Sequence, residues 1–574
     1  MPLQDWIHQL EEGGGAKFIK RLAAVLAFVV VAAAYDSLAY RGFSTQEAME
    51  NAQLARNVAQ GKGYVTDSIH PLALYMLERQ NPGSARRALN DGVPDLSHPP
   101  VYPIALAALI KVLPFEFTAK GRFYQPELGI TIFNQVQLFV AVLLLFSITR
   151  RLFDARVAWL AAILFGGTEL FWRFSVSGLS TTLLEVIFLA VVRAMLALEE
   201  SGRANKLGAC TGWAITVGAL IAVGTMTRYS FGWVLLPTLA FCVAAARARW
   251  KTILVVSFSF LVVAAPWSIR NYILSGSAFG TNVYALVEQT PVFAGDQLER
   301  SLNPESRFKQ MRLAYLKEKL LLNLQDIVGK EIPLVAGNWL SAFFLVGLLI
   351  PFRNPALGKL RLFLVGALAV WTVAEALGRT ALSSDSPNLN SENMLVIVAP
   401  LLFAYGAGLF FILLDQLNLA TGDLRAATVV LFTALLCLPL VLVALSPPEV
   451  PANSPYSPRW IQLTSRLISE RELMMSDIPW AVSWYGQRRC VSLTLDDTDE
   501  FRRANTLKPV NALFLTQRTT DSALLPQLTG ATNSWGRFFW DCWAHGEVPT
   551  GFPLQKAPVG FLPDQMLLSD RVRW

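Results

Sequence analysis

Apolar residues in this chain gather into long unbroken runs rather than alternating with polar ones. A helix needs about 20 mostly apolar residues to cross a hydrocarbon core roughly 30 Å thick. Eleven segments approach that length: 22–40, 130–149, 157–172, 182–198, 208–226, 231–246, 252–270, 337–351, 360–378, 394–414 and 426–446. A further run, 99–115, holds Pro99, Pro100, Pro103, Lys111 and Pro114, which predicts an interfacial or re-entrant element instead of a span.

Basic residues orient the spans, because Lys and Arg near span ends collect on the cytoplasmic side. Lys17, Lys20 and Arg21 precede the first span, and Arg150, Arg151 and Arg156 separate the second from the third. Arg203 and Lys206 follow the fourth, Arg247, Arg249 and Lys251 the sixth, and Arg353, Lys359 and Arg361 the eighth. All fall inside provided that 99–115 does not cross. No small-residue cleavage site follows the first run, so it is expected to stay as an anchor. The inner loops are then short, and three long segments lie outside: 41–129, 271–336 and 447–574. Function is expected there.

The outer segments carry mixed patterns. Ala48, Ala52, Ala55 and Ala59 recur at helical spacing, and Gly61 and Gly63 end that helix. DLSHPPVY at 95–102 predicts a rigid, extended turn. The second outer segment follows PWSIRNY at 266–272 and is expected to hold a charged helix near 307–319. Prolines cluster at 447–458; beyond them β-like runs (491–495, 512–516) alternate with helical ones such as 460–472. The expected architecture is mainly α: a polytopic membrane bundle over 1–446, followed by a small extracytoplasmic α/β domain over 447–574. Cys490 and Cys542 both fall in that domain, and whether they bridge is left open.

Composition narrows the class. The chain has 574 residues, 53% hydrophobic and only 16% charged, with a mean hydropathy of +0.41. Soluble domains carry about 25% charged residues, so an ordinary soluble enzyme, a disordered regulator and a fibrous protein are excluded. Five cysteines exclude a disulfide scaffold. The formal charge of +7 follows from the basic span ends and implies no nucleic acid.

Several residues have chemical potential. Glu47 and Glu50 are three apart and share a helix face, where a carboxylate can serve as general base. The structural alternatives are a Ser44-x-x-Glu47 capping box and a solvated helix face. His98, held by Pro99 and Pro100, can bind a phosphate, move a proton, or only tie down its loop. Arg173, Arg228 and Arg270 sit at outer span ends; together they would bind an anionic headgroup, whereas singly they would snorkel. Glu169, Glu185 and Glu375 lie in or beside spans, with Glu185 best placed to join an outward-facing site. Glu169 and Arg173, at i,i+4, also suit a structural ion pair. His70 and His545 have no metal-ligand spacing with His98, so no metal site is predicted.

The order of features resembles the GT-C glycosyltransferases. The likeness is to the polyprenyl-phosphate-sugar-dependent branch, similar to protein O-mannosyltransferases and the lipid A aminoarabinose transferase. It rests on one span, then EAMENAQLARNVAQGKGY at 47–64, HPPVYP at 98–103, RRLFDAR at 150–156, TRYS at 227–230, PWSIRNY, and NSEN at 390–393. Aligning Ala55-Arg56-Asn57 with the family's helix puts Glu47 on its first-loop acid and Ala48 on the neighbouring acid. The chain departs there, with Glu for Asp and its second carboxylate at Glu50. His98 falls where relatives have Lys or His, and another family acid falls near Glu185.

The resemblance implies a sugar donor on a polyprenyl phosphate and transfer with inversion to a glycan, lipid or protein acceptor at the outer face of a bacterial inner membrane. Glu47 or Glu50 would be the base, with Arg228, Arg270 and His98 on the donor phosphate, and 99–115 would shape the lipid groove. No cofactor is firmly implied; a divalent metal stays open. Three other readings remain at this point: an ion-coupled transporter using the intramembrane acids, a lipid-linked glycan polymerase or ligase, and a non-catalytic scaffold.

Overall fold

The computed structural model describes residues 14–120, 124–246, 248–334, 343–347, 354–385, 389–417, 422–445, 456–520, 535–546, 548–554 and 565–573. Among these, eight helices are long and apolar enough to cross a membrane: Arg21–Leu38, Gln125–Leu152, Thr181–Arg203, Leu207–Thr225, Arg249–Ser275, Pro355–Gly378, Met394–Gln416 and Gly422–Val443. The expected span at 157–172 is a pair, Ala155–Gly167 and Glu169–Val176, bent by 53°. The one at 231–246 opens with a 3-10 stretch, Tyr229–Val234, before the helix Leu235–Ala245. A 3-10 turn rises about 2 Å per residue, which compensates for so short an α-helix. The expected span at 337–351 falls largely outside the described residues. Residues 99–115 form the short apolar helix Val101–Val112.

The basic ends gather at one end of the bundle. Glu199 takes both Arg203, at 2.8 Å, and Lys359, at 2.9 Å, while Arg151 pairs with Glu200. Helix Leu207–Thr225 starts beside Lys206 at that end, and Arg228 follows its far end. Gly224 leaves no room for a Cβ, which would meet the Phe231 ring at 2.3 Å, so the 3-10 stretch folds tightly onto that helix end.

The tail forms an α/β layer, as the alternating pattern predicts. Its five-stranded sheet runs Ser68–Ile69, Cys490–Ser492, Leu473–Ser476, Val510–Leu515 and Met566–Ser569. The first four strands are parallel and the last is antiparallel. Its edge strand thus comes from the first outer segment. Cys490 and Cys542 are both free and buried, so the bridge left open by the sequence does not form. In the second outer segment the charged stretch divides into Glu305–Phe308 and Leu313–Asp326. The proline cluster lies mostly outside the described residues.

Two buried side chains, Arg56 and Glu127, fasten the tail to the helical bundle. Arg56, on helix Gln46–Ala59, donates to the carbonyls of Trp484, at 2.8 Å, and Ser483, at 2.9 Å. It also pairs with Asp67 at 3.5 Å and lies 5.6 Å from the centre of the Trp484 ring system. Glu127, in the first turn of Gln125–Leu152, accepts from Tyr485 Oη at 2.6 Å and Trp484 Nε1 at 2.9 Å. Breaking one side of a buried charge pair costs roughly 3–5 kcal/mol. Arg56→Met is therefore expected to lower the thermal midpoint in detergent and expose the tail to protease. An unchanged midpoint and digestion pattern would contradict this docking.

Candidate active site

Helix Gln46–Ala59 begins at Thr45, whose side chain makes no cap bond. The expected capping box is absent because Glu47 turns elsewhere. Arg228 Nη1 donates to both its oxygens, at 3.0 and 3.2 Å, and Ser391 Oγ donates to Oε2. Arg228 stands where helix Leu207–Thr225 gives way to the 3-10 stretch, and Ser391 lies just before helix Met394–Gln416.

One turn along the same helix, Glu50 lies buried between two imidazoles. Its Oε1 is 2.8 Å from His70 Nε2 and its Oε2 3.4 Å from His98 Nε2. Ser68 Oγ also donates to Oε1, at 3.1 Å. His98 Nδ1 is 3.0 Å from Asp95, and His70 Nδ1 is 3.7 Å from Glu299. The result is a row: Asp95, His98, Glu50, His70, Glu299. Asp95 also folds the turn, accepting the backbone N–H groups of Ser97 and His98 at 3.0 and 2.7 Å. The second outer segment clamps this turn from behind. Gly280, at φ +57°, lets Leu96 approach so closely that a Cβ would lie 1.9 Å from its carbonyl oxygen.

Burial opposes charge in this row, and pairing overcomes it. Burial pushes the Glu50 carboxyl up, but His70 and His98 outweigh it and hold it well below the usual carboxylate range. Burial likewise lowers His70, yet Glu50 and then Glu299 bring it up to about 9. His98 is raised well above its ordinary value against its own burial, chiefly by Asp95 and then Glu50. Pairing with the acids thus favours the charged form of both rings.

Glu47, Glu50, His70, His98 and Arg228 line one cavity of about 1070 Å³. Its other end is apolar, with Trp233, Leu236, Leu261 and Ile269 on the wall, each more than half exposed on the bundle surface. Those residues belong to Tyr229–Ala245 and Arg249–Ser275, so these helices and not Val101–Val112 shape the groove. From the interfacial segment only Pro99 reaches the lining. Glu288, Glu299, Glu375 and Glu392 add carboxylates to the wall. Burial, then Glu299 and Glu392, raises Glu288, whose Oε2 has no hydrogen-bond partner among the described residues.

The remaining sequence candidates lie elsewhere. Arg270 does not line the cavity; it stacks on Trp267, 4.5 Å from the ring centre, and donates to the Asp95 carbonyl at 2.8 Å. Arg173 is taken by Glu169 at 2.8 and 3.1 Å, the structural pair that their i,i+4 spacing allows. Glu185 is fully buried in Thr181–Arg203, away from the cavity, and neither carboxylate oxygen finds a hydrogen-bond partner among the described residues. His70, Asp95, Glu299 and Ser391 were not picked out from sequence. The Asp-x-x-His spacing at 95–98 is a local sign for Asp95, whereas the others meet the site only through tertiary folding. Among the described residues, no three His, Cys, Asp or Glu side chains are arranged to hold a metal ion.

The row should show in stability against pH. A raised imidazole stabilises fully below its unfolded pKa and loses this as pH rises through its folded pKa, whereas a depressed carboxylate stabilises above its unfolded value. The stability lost in Glu50→Gln should therefore be greatest between about pH 4.5 and 6.5 and shrink as pH climbs through about 9. Thermal midpoints of both proteins across that range check this, and a loss independent of pH would contradict the charged row.

Residues 97–269 match the family model for dolichyl-phosphate-mannose-protein mannosyltransferase. No curated protein sequence matches the chain. Among solved structures, the chain resembles ArnT from Cupriavidus metallidurans bound to undecaprenyl phosphate. The TM-score is 0.56 at 12% identity, over 96% of this chain and 98% of that one. It also resembles the archaeal oligosaccharyltransferase AglB from Archaeoglobus fulgidus, solved with an inhibitory peptide and a dolichol-phosphate. There the TM-score is 0.54 at 12% identity, over 89% of this chain and 72% of that one. The chain is thus an integral, multi-pass membrane protein with the fold of the GT-C glycosyltransferases, the superfamily its motifs resemble.

Proposed function

We propose that the protein is a membrane glycosyltransferase that moves a sugar from a polyprenyl-phosphate donor to an acceptor hydroxyl or amine. The supporting observation is the cavity, which joins a base and fixed cations at one end to an apolar groove facing the membrane at the other. A polyprenyl phosphate has the same division. The polyprenyl phosphates bound to the two structural relatives are of this chemistry. On this reading the prenyl chain lies between Tyr229–Ala245 and Arg249–Ser275, with its phosphate toward Arg228 and His98.

Glu47 is the general base. Glu50 is a poor one, because two imidazolium ions hold its carboxylate and depress its basicity. Glu47 removes the acceptor proton, the acceptor attacks the anomeric carbon opposite the phosphate, and the configuration inverts. Charge building on the departing phosphate meets the Arg228 guanidinium, with the His98 ring, whose two nitrogens face Glu50 and Asp95, adding only its charge nearby. Arg270 acts through the 95–98 turn, whose carbonyl it holds, as a positioning residue. The cavity lies at the end of the bundle opposite the Glu199 ion pairs; by the charge rule this supports a site on the outer face of a bacterial inner membrane.

The test is transfer from a polyprenyl-phosphate sugar in proteoliposomes. A positioned general base contributes about 10²–10⁴-fold, so Glu47→Gln should lose at least about 100-fold while the protein stays folded and inserted. Full transfer by this variant would overturn the assignment. Solute movement without lipid-linked sugar would favour a transporter.

A further inference from the structure

In the structure Glu47 is not free to act as a base. Both of its oxygens accept from Arg228 Nη1, and Ser391 holds Oε2 as well. Both oxygens are thus occupied, so an acceptor hydroxyl has no open lone pair to approach. The same guanidinium faces the cavity that would receive the donor phosphate. We propose that the Arg228–Glu47 pair is a latch opened by the donor phosphate, so that the donor binds before the acceptor and arms the base. Ser391 is the positioning residue that keeps the released carboxylate in place. This rests on the glycosyltransferase reading above.

The charges change in the direction the latch requires. The bound donor is a phosphodiester with one negative charge, and Glu47 carries another. During transfer the acceptor's lone pair forms the new bond to the anomeric carbon. The bond from that carbon to the phosphate oxygen breaks, and its electron pair stays on that oxygen. The acceptor proton goes to Glu47. The carboxylate thus becomes neutral while the leaving phosphate becomes dianionic, and Arg228 passes from the partner losing charge to the one gaining it. Arg228 suits this exchange: a guanidinium has five N–H donors in a planar fork, and in the structure the protein engages Nη1.

Ser391 is suited to stay behind. It is buried, and Asn390 Oδ1 accepts the Asn393 backbone N–H at 3.0 Å, which fixes the turn around it. Its hydroxyl contacts only Oε2 and adds no charge, so it orients Glu47 while leaving the other oxygen open once Arg228 departs. Before the donor arrives, the latch keeps an activated base away from water in the cavity.

Sugar-free polyprenyl phosphate, titrated into the full-length protein in nanodiscs, is the probe. If Glu47 and the phosphate compete for Arg228, removing the carboxylate charge must tighten phosphate binding by the coupling between them, about 5- to 10-fold. Glu47→Gln and Glu47→Ala should both do so, whereas Arg228→Gln should weaken binding at least about 10-fold. Ser391→Ala should leave this affinity within about twofold and lower kcat without changing the donor KM, the mark of an interaction acting in the chemical step. Unchanged or weaker binding in both Glu47 variants, with Arg228→Gln still defective, overturns the latch but leaves the phosphate site standing. Unimpaired binding by Arg228→Gln overturns the phosphate site itself.

Discussion

A carboxylate removed from water at the edge of a membrane must find cations or remain protonated, and Glu50 finds two. The imidazoles of His70 and His98 clasp it from opposite sides, and each is steadied by a further acid, Glu299 or Asp95. Because these five side chains come from four separate stretches, their pairing fixes where those stretches meet. His70 directly follows the strand Ser68–Ile69, the edge of the tail sheet. The same cluster therefore sets the positions of the first outer segment, the tail and the second outer segment. Neither neutral nor apolar substitutes would hold all four, since the attraction is between fixed charges in a site with little water.

With Glu50 committed to structure, Glu47 is left one helical turn away facing Arg228. The two acids share a helix but differ in their partners. Glu50 faces two imidazoles, whereas Glu47 faces a single guanidinium. Around this polar end the bundle opens between Tyr229–Ala245 and Arg249–Ser275, where exposed apolar side chains continue the cavity wall. One chamber thus has a charged end and an apolar end.

Much of this was legible in the chain. Apolar runs near 20 residues mark spans because lipid leaves the backbone no partner but itself, and the basic residues at their ends marked one side of the bundle. The i,i+3 spacing of Glu47 and Glu50 put both on the cavity, and TRYS at 227–230 supplied Arg228. What escaped was set by tertiary contact. Ser68–Ile69 is too short to carry a strand pattern, and its partner strand lies more than 400 residues along the chain. His70 looked isolated because its partner Glu50 lies on another element. Arg270 was sensibly suspected as a phosphate ligand, yet Trp267, three residues earlier on its own helix, and the Asp95 carbonyl claim it. Glu185 was suspicious for being an acid in a span, but a buried acid can be remote from chemistry.

The central claim is that one end of this cavity takes a phosphate while the other takes the prenyl chain attached to it. Photo-crosslinking with a polyprenyl phosphate bearing a diazirine in its first isoprene units tests this most directly, read by mass spectrometry of the labelled peptides. The account predicts labels concentrated on Tyr229–Ala245 and Arg249–Ser275, with competition by unlabelled polyprenyl phosphate. Labels spread evenly over the lipid-facing helices, or concentrated on Arg21–Leu38 and Gly422–Val443, would contradict it.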